Sequence, residues 1–192
     1  MRQNRRFGGI KTIGLFAAAI LVMSVSTSAA NAQAIRPFTL AGSVGAVDED
    51  SAAFAQLRNF TVLHQAGTVG SIHIRYNITA VEGISSFCPA TQSTVKVRFR
   101  NSDDSGATAK VSLEIHTSSV TSGGNAIIYT FSSNARGNSG VFTTATDVVP
   151  SLDFDFANNV YWIEATIFRS DAAQFADLGS IQIVEDAGAA CP

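Results

Sequence analysis

Residues 71–79 read SIHIRYNIT, and the alternation in this stretch decides the fold class. Every second residue is large and apolar, and the residues between them are polar. An extended chain points successive side chains to opposite faces, so this segment has one apolar and one polar face. The stretch therefore predicts a β-strand that is buried on one side only, as in an antiparallel sheet. Its apolar face holds Ile72, Ile74, Tyr76 and Ile78.

The same pattern recurs along the chain, with turn-forming residues between the apolar runs. Residues 95–100 and 110–116 alternate strictly, whereas residues 160–168 are apolar on both faces, which predicts a strand in the centre of its sheet. Further β-rich runs cover residues 54–63, 126–132, 141–149 and 179–185. We predict an all-β fold, a two-sheet antiparallel β-sandwich of jelly-roll type with about eight or nine strands.

The turn at residues 101–106 lies between two strictly alternating strands. Its sequence, NSDDSG, contains the residue types that favour tight turns. We therefore predict a hairpin that makes the strands at 95–100 and 110–116 direct neighbours in one sheet.

The first 32 residues have the features of an export signal. Basic residues precede an apolar run at residues 13–23, which is followed by small residues ending in Ala30-Asn31-Ala32. This is the order of a secretory signal peptide, and the run is shorter than the roughly 20 apolar residues that span a membrane. We predict a signal peptide at residues 1–32 and a single domain at 33–192. That domain is expected to be secreted, periplasmic or on the cell surface, and not embedded in a membrane.

The charge of the chain changes once the predicted signal is removed. Four of the 13 basic residues precede residue 33 and all 15 acidic residues follow it, which leaves a formal charge of −6. Domains that bind nucleic acid usually carry a basic surface. We therefore expect protein partners or surface glycans rather than nucleic acid.

The chain contains two cysteines, Cys88 and Cys191. Outside the cytosol, a pair of cysteines usually forms a disulfide. We predict a bridge between Cys88 and Cys191, with two free thiols as the alternative. These cysteines and the widely separated histidines lack the spacing of a zinc site, and we expect no cofactor.

Basic residues on three successive strands form a candidate ligand face. If those strands are neighbours, the charges gather on one sheet face that suits an acidic polysaccharide or phosphate groups; an ordinary solvated face is the favoured interpretation. Trp162, next to Tyr161, is a candidate for stacking on a sugar, although a place in the core is the favoured interpretation. The candidate ligand residues are Arg75, Arg98, Arg100 and Trp162, with Lys96 and Lys110 on the same predicted face.

An acidic cluster offers candidate ligands for calcium. Asp153, Asp155 and Asn158 lie close together in the sequence, and calcium takes six to eight oxygen ligands. Aspartate and asparagine before a strand are also common in turns, which is the favoured interpretation. We commit to no metal site.

We expect no enzymatic activity, because no catalytic motif stands out in the sequence. A hydrolase would need a histidine in contact with both a carboxylate and a hydroxyl group, or two carboxylates across a cleft. The sequence does not place these groups relative to one another. The candidates are His64, His73 and His116, with Glu82, Glu114 and Glu164 as the carboxylates.

The alternating strands, signal and paired cysteines resemble secreted bacterial sandwich modules, including pilus subunits. The long alternating N-terminal donor segment and the closing aromatic strand of pilins are not found in the sequence. The expected function is a non-enzymatic, structural or interaction role in the cell envelope or extracellular matrix. A carbohydrate-binding module, with or without calcium, is the first alternative, and a secreted hydrolase is the least favoured one.

Overall fold

The computed structural model describes residues 37–80, 92–134, 136–137, 140–150 and 152–186. The predicted signal peptide, Glu82 and both cysteines lie outside the described residues, so the predictions about them remain predictions. Among the described residues, no helix has the length and apolar character needed to cross a membrane.

The described chain forms eleven strands joined by turns, with short 3-10 segments at Gly42–Val44 and Glu49–Ser51. The strands are β1 (Phe38–Ala41), β2 (Ala46–Val47), β3 (Ala55–Arg58), β4 (Thr61–His64), β5 (Gly70–Ile78), β6 (Gln92–Asn101), β7 (Ala109–Ser119), β8 (Asn125–Ser132), β9 (Thr143–Pro150), β10 (Asn159–Arg169) and β11 (Ala176–Asp186).

The strands form two antiparallel sheets, each named here after its central strand. The β11 sheet has the order β3-β4-β11-β6-β9, with β1 also paired to β11, and the β10 sheet has the order β2-β5-β10-β7-β8. Strands β4–β11 alone give the orders β4-β11-β6-β9 and β5-β10-β7-β8, which is the arrangement of a jelly roll. The predicted fold class is confirmed, and so is the central position of the strand predicted at 160–168.

The core lies between the two sheets and is filled by the apolar rows that the alternation predicted. Ile72, Ile74, Tyr76 and Ile78 are all buried, as are the inward residues of the other central strands. Burial of a large aliphatic side chain contributes about 1.5–3 kcal/mol, so these rows are the main source of stability. The inward residues of β6, β7 and β10 include Val95, Val97, Phe99, Val111, Leu113, Ile115, Ile163, Ala165 and Ile167.

The hairpin predicted at residues 101–106 is wrong. Strand β6 belongs to the β11 sheet and β7 to the β10 sheet, so the turn carries the chain from one sheet to the other. Alternation determines which face of a strand is buried, but both sheets bury their inner faces in the same core, so it does not determine the partner strand. The Asp103 carboxylate holds this crossing together by accepting hydrogen bonds from the backbone N–H groups of Ser105, at 2.9 Å, and Thr108, at 2.5 Å.

The single strand predicted at residues 54–63 is two strands in the structure. Strands β3 and β4 pair as a hairpin whose turn contains Asn59, with a φ of 54°. Asparagine adopts this left-handed conformation more readily than other non-glycine residues, which allows the chain to reverse there. Strands β1 and β2 form from residues before position 50, where the alternation is weak. They raise the number of strands among the described residues to eleven, above the predicted eight or nine.

His64 and Arg169 are buried together near one end of the sandwich. Arg169 ties two loops to this end by donating hydrogen bonds of 2.7 Å to the carbonyl groups of Gln65 and Thr68, and one of 3.2 Å to that of Gln174. Burial of His64, with the charge of Arg169 nearby, lowers the pKa of this histidine to about 4, although the carbonyl of Ile167 opposes the shift.

We expect acid to destabilise the protein through His64. The unfolded chain binds a proton on this histidine near pH 6.5, and the folded protein only near pH 4. Stability is therefore lost as the pH falls through that window, by about 3 kcal/mol at most. Chemical denaturation between pH 7 and 4 measures this loss. His64→Gln should flatten the slope, whereas His73→Gln on the surface should not; equal slopes in both variants would contradict the assignment.

Candidate functional site

The outer face of the β10 sheet brings polar and aromatic side chains from three strands together. Strand β10 pairs with β5 on one side and β7 on the other, so each outward residue of β10 has a neighbour on both sides. This register places Glu164 between Arg75 and Glu114, and Trp162 between Asn77 and His116.

Glu164 is the most connected carboxylate on this face. Arg75 Nη2 donates to Glu164 Oε1 at 2.7 Å, and the indole Nε1 of Trp162 donates to the same oxygen at 3.2 Å. Partial burial alone would raise the pKa of Glu164. The hydrogen bonds from Arg75 and Trp162, together with the charge of Arg75, outweigh it and lower the pKa, so the carboxylate is ionised.

His116 stands between Trp162 and the two glutamates. Its ring stacks on the indole with a centroid distance of 5.1 Å and an interplanar angle of 7°. Its Nε2 lies 3.2 Å from Glu114 Oε2 and 3.7 Å from Glu164 Oε2, but it is not aligned for a hydrogen bond with either. The imidazole thus separates two carboxylates that the strand register places opposite each other.

A surface pocket of about 260 Å³ opens beside these residues. Arg75, Glu114 and Glu164 line one part of it, and the remaining polar lining comes from Asp48, His73, Ser112 and Thr166. Thr166 Oγ1 lies 3.3 Å from His73 Nδ1. The pocket offers carboxylates that accept hydrogen bonds, a guanidinium group that donates them and hydroxyl groups that do both. A ligand with clustered hydroxyl groups requires hydrogen-bond partners of these kinds.

The basic residues would share one face only if their strands were neighbours, and this condition is not met. Arg75 and Lys110 lie on the β10 sheet, whereas Lys96, Arg98 and Arg100 lie on β6 in the β11 sheet. The predicted neighbours β5 and β6 are in different sheets, and their polar faces point away from each other. The candidate ligand residues Arg75 and Trp162 are brought together, and Arg98 and Arg100 are not among them.

The structure separates the two adjacent aromatic residues of β10. Tyr161 is buried in the core, where its ring packs edge-on against Phe154 with centroids 5.0 Å apart. Trp162 lies half-buried on the outer face, so the favoured prediction that it lies in the core is wrong. Sequence reasoning missed three residues of the site, namely Ser112, Thr166 and Asp48. No sequence motif marks them, and they join the site only through strand pairing.

None of the candidate histidines forms a hydrolase site among the described residues, although Glu114 and Glu164 lie opposite each other and line the pocket. His64 is buried away from this face, His73 contacts a hydroxyl group, and His116 contacts carboxylates. No described histidine contacts both a carboxylate and a hydroxyl group.

The calcium candidates form a turn before β10. The Asp155 carboxylate accepts hydrogen bonds from Asn158 Nδ2 at 2.7 Å and from the backbone N–H of Ala157 at 3.1 Å, while Asp153 is exposed. Within the described ranges, no three or more His, Cys, Asp or Glu side chains are grouped so that they could hold a metal ion. Calcium binding by Asp153, Asp155 and Asn158 stays the less favoured alternative to a turn.

Comparison with known proteins gives similarity of fold only. No protein-family description and no curated protein matches the sequence. Solved structures with a similar fold include a family 35 carbohydrate-binding module from Clostridium thermocellum, at 13% identity and a TM-score of 0.44 over 79% of this chain and 99% of that one. Carbohydrate-binding module CBM36, in complex with calcium and xylotriose, has 12% identity and a TM-score of 0.41 over 76% and 98% of the two chains.

A third similar structure is the K1 cleaved adhesin domain of Lys-gingipain from Porphyromonas gingivalis W83. It has 11% identity and a TM-score of 0.41 over 79% of this chain and 99% of that one. Similarity of this extent transfers neither a ligand nor a residue role to this protein.

Removing Arg75 should raise the pKa of Glu164. In Arg75→Gln the carboxylate loses its ion pair while the partial burial remains, so we expect titration of the Glu164 side chain by carbon NMR to move to higher pH. Both partners are well exposed, at 55% and 41%, so stability should fall by less than about 1 kcal/mol. Arg98→Gln, on the other sheet, is the control and should leave the titration unchanged. An unchanged Glu164 titration in Arg75→Gln would contradict the assigned pairing.

Proposed function

We propose that this protein is a non-catalytic carbohydrate-binding module that binds a neutral saccharide in the pocket on the outer face of the β10 sheet. The observation that carries this proposal is the convergence of three carboxylates, one guanidinium and two hydroxyl side chains beside the Trp162–His116 stack. A sugar presents hydroxyl groups in a ring and apolar C–H groups on its faces. The pocket supports the first kind of contact, and the adjacent aromatic pair supports the second.

The size and charge of the pocket narrow the class of ligand. Its volume of about 260 Å³ lies below the roughly 300–1,000 Å³ of pockets that enclose drug-sized ligands. We infer that it holds one sugar ring, with the rest of an oligosaccharide along the sheet. The carboxylates of Asp48, Glu114 and Glu164 outnumber the one guanidinium of Arg75, so an anionic sugar would be repelled.

The same residues favour binding over hydrolysis. A glycoside hydrolase needs one carboxylic acid whose pKa is raised enough to protonate the leaving group. Glu164 has the opposite property, because Arg75 and Trp162 hold its pKa low. Its ionised oxygens serve as hydrogen-bond acceptors for hydroxyl groups. A location outside the cytoplasm would fit this function and follows from the signal predicted at residues 1–32.

The single tryptophan provides the test of this proposal, because all tryptophan fluorescence comes from Trp162. We expect an array of neutral cell-wall oligosaccharides to identify a ligand, and titration with that ligand to change the fluorescence in a saturable way. Glu164→Gln should weaken binding about tenfold in calorimetry, because it replaces charge-assisted hydrogen bonds by neutral ones.

Arg58→Gln, a surface change on the β11 sheet, is the control and should bind like the unchanged protein. Incubation of the ligand with the protein should release no new reducing ends. A blank array, or equal affinity of Glu164→Gln and the unchanged protein, would count against the proposal. Release of reducing ends would replace it by a hydrolase.

A further inference from the structure

The outer face of the β11 sheet, on the opposite side of the sandwich, carries a row of aromatic and basic side chains. Arg98 and Arg100 are outward residues of β6. Phe60 belongs to the turn between β3 and β4, Phe142 precedes β9, and Phe175 precedes β11. We call these five residues the Arg–Phe ladder.

Rings and guanidinium groups alternate along the ladder. The Cζ of Arg98 lies 5.6 Å from the ring centroids of both Phe60 and Phe142. The Cζ of Arg100 lies 5.6 Å from the centroid of Phe142 and 4.0 Å from that of Phe175. All four distances are within the range of about 6 Å at which a cation is attracted to a ring face. The five side chains therefore form one continuous row.

The ladder is open to solvent although it contains large apolar groups. Phe60 is 45% exposed and Phe175 is 41% exposed, and Arg98 between Phe60 and Phe142 is also exposed. Single exposed apolar residues are common, but contiguous patches of aromatic residues and arginine are characteristic of binding surfaces.

The backbone and a buried acid hold the ladder in position. Asp177, only 5% exposed, accepts a hydrogen bond from Arg100 Nε, and neither Nη group of that guanidinium has a hydrogen-bond partner among the described residues. Strand β11 has an irregular register between Leu178 and Ser180, around Gly179. A Cβ at Gly179 would lie 3.1 Å from the carbonyl oxygen of Arg98 and 3.2 Å from Phe142 Cε1, so the missing side chain lets the ring pack against the strand.

The charge of this face differs from that of the whole chain. Arg100 is neutralised by Asp177, but among the described residues neither Arg98 nor Lys96 takes part in an ion pair. The face thus has a local excess of positive charge, although residues 33–192 carry a formal charge of −6. An anionic ligand complements such a face.

We propose that the Arg–Phe ladder binds an anionic polysaccharide. Its carboxylate groups would pair with the guanidinium groups of Arg98 and Arg100, which present N–H donors in the fork geometry that carboxylates match. Its sugar C–H groups would pack on the phenylalanine rings. A polymer of uronic acids carries a carboxylate and an apolar ring face on every unit, so its repeat supplies both kinds of contact in alternation. This surface shares no residue with the pocket of the β10 sheet and does not depend on the function proposed for that pocket.

Single-stranded nucleic acid also combines anions with planar groups, but it fits this surface less well. Proteins that bind it stack bases on open aromatic faces. In the ladder the rings are partly covered by guanidinium groups, with Phe60 45% and Phe175 41% exposed, so the remaining ring surface suits the C–H groups of a sugar better than a whole stacked base.

The test uses polygalacturonate, with its fully methyl-esterified form as a ligand of the same backbone without charge. We expect calorimetry with the protein to show binding of polygalacturonate and little binding of the ester. Arg98→Gln should weaken binding about tenfold, because it removes one charge-assisted contact. Arg98→Lys should recover only part of that loss, because an ammonium group keeps the charge and lacks the fork. Arg98 is exposed and has no ion pair within the described part of the chain, so these variants are expected to fold, which thermal denaturation checks.

The matched control is Lys110→Gln, which removes the same charge from the outer face of the other sheet and should leave the affinity unchanged. The proposal is overturned if polygalacturonate does not bind or if the ester binds equally well. It is also overturned if Arg98→Gln and Lys110→Gln weaken binding equally, or if a single-stranded DNA oligonucleotide of the same charge binds more tightly. Loss of polygalacturonate binding in Glu164→Gln would place the polymer in the β10-sheet pocket and also overturn it. Normal affinity in that variant supports a separate surface.

Discussion

The register of β10 between β5 and β7 is the constraint on which both faces of its sheet depend. It aligns Ile163, Ala165 and Ile167 in the core and sets Trp162 and Glu164 outside. A slip of one residue would exchange the two rows. The core would then receive an ionised carboxylate, at a cost of several kcal/mol, while the isoleucines would be exposed. Core packing therefore enforces the geometry of the pocket, and no separate interaction is needed to select it.

This geometry brings two like charges together, although the sandwich itself does not require charged residues at these positions. Glu114 and Glu164 lie directly opposite each other on neighbouring strands, and like charges in that position are destabilising. Arg75 reduces the repulsion but does so from an exposed position, where an ion pair contributes little. Neutral residues would serve the fold at least as well. The paired carboxylates are thus better explained by the hydrogen bonds that they would accept from the proposed ligand than by a contribution to stability.

The alternation of side chains was enough to predict the strands, the buried rows and the sandwich, because the period of two is a local property of each strand. It was not enough to predict which strands are neighbours. Arg75 and Arg98 lie in equally regular segments, yet β5 and β6 belong to different sheets, so their side chains point in opposite directions. The pocket and the Arg–Phe ladder both arise from pairings between distant segments, so neither has a signature in any single stretch of the sequence.

The division of consecutive strands between the two sheets also explains how a small sandwich can present two chemically different surfaces. Consecutive strands β5 and β6 enter different sheets, so their polar residues are distributed to opposite outer faces. One face receives an excess of carboxylates around Arg75, and the other an excess of cations around Arg98. An anionic polymer that suits the ladder would be repelled by the pocket, and a neutral sugar would gain little from the positive charge of the ladder. On our proposals, the core thus separates two ligand classes that a single mixed face would bring into competition.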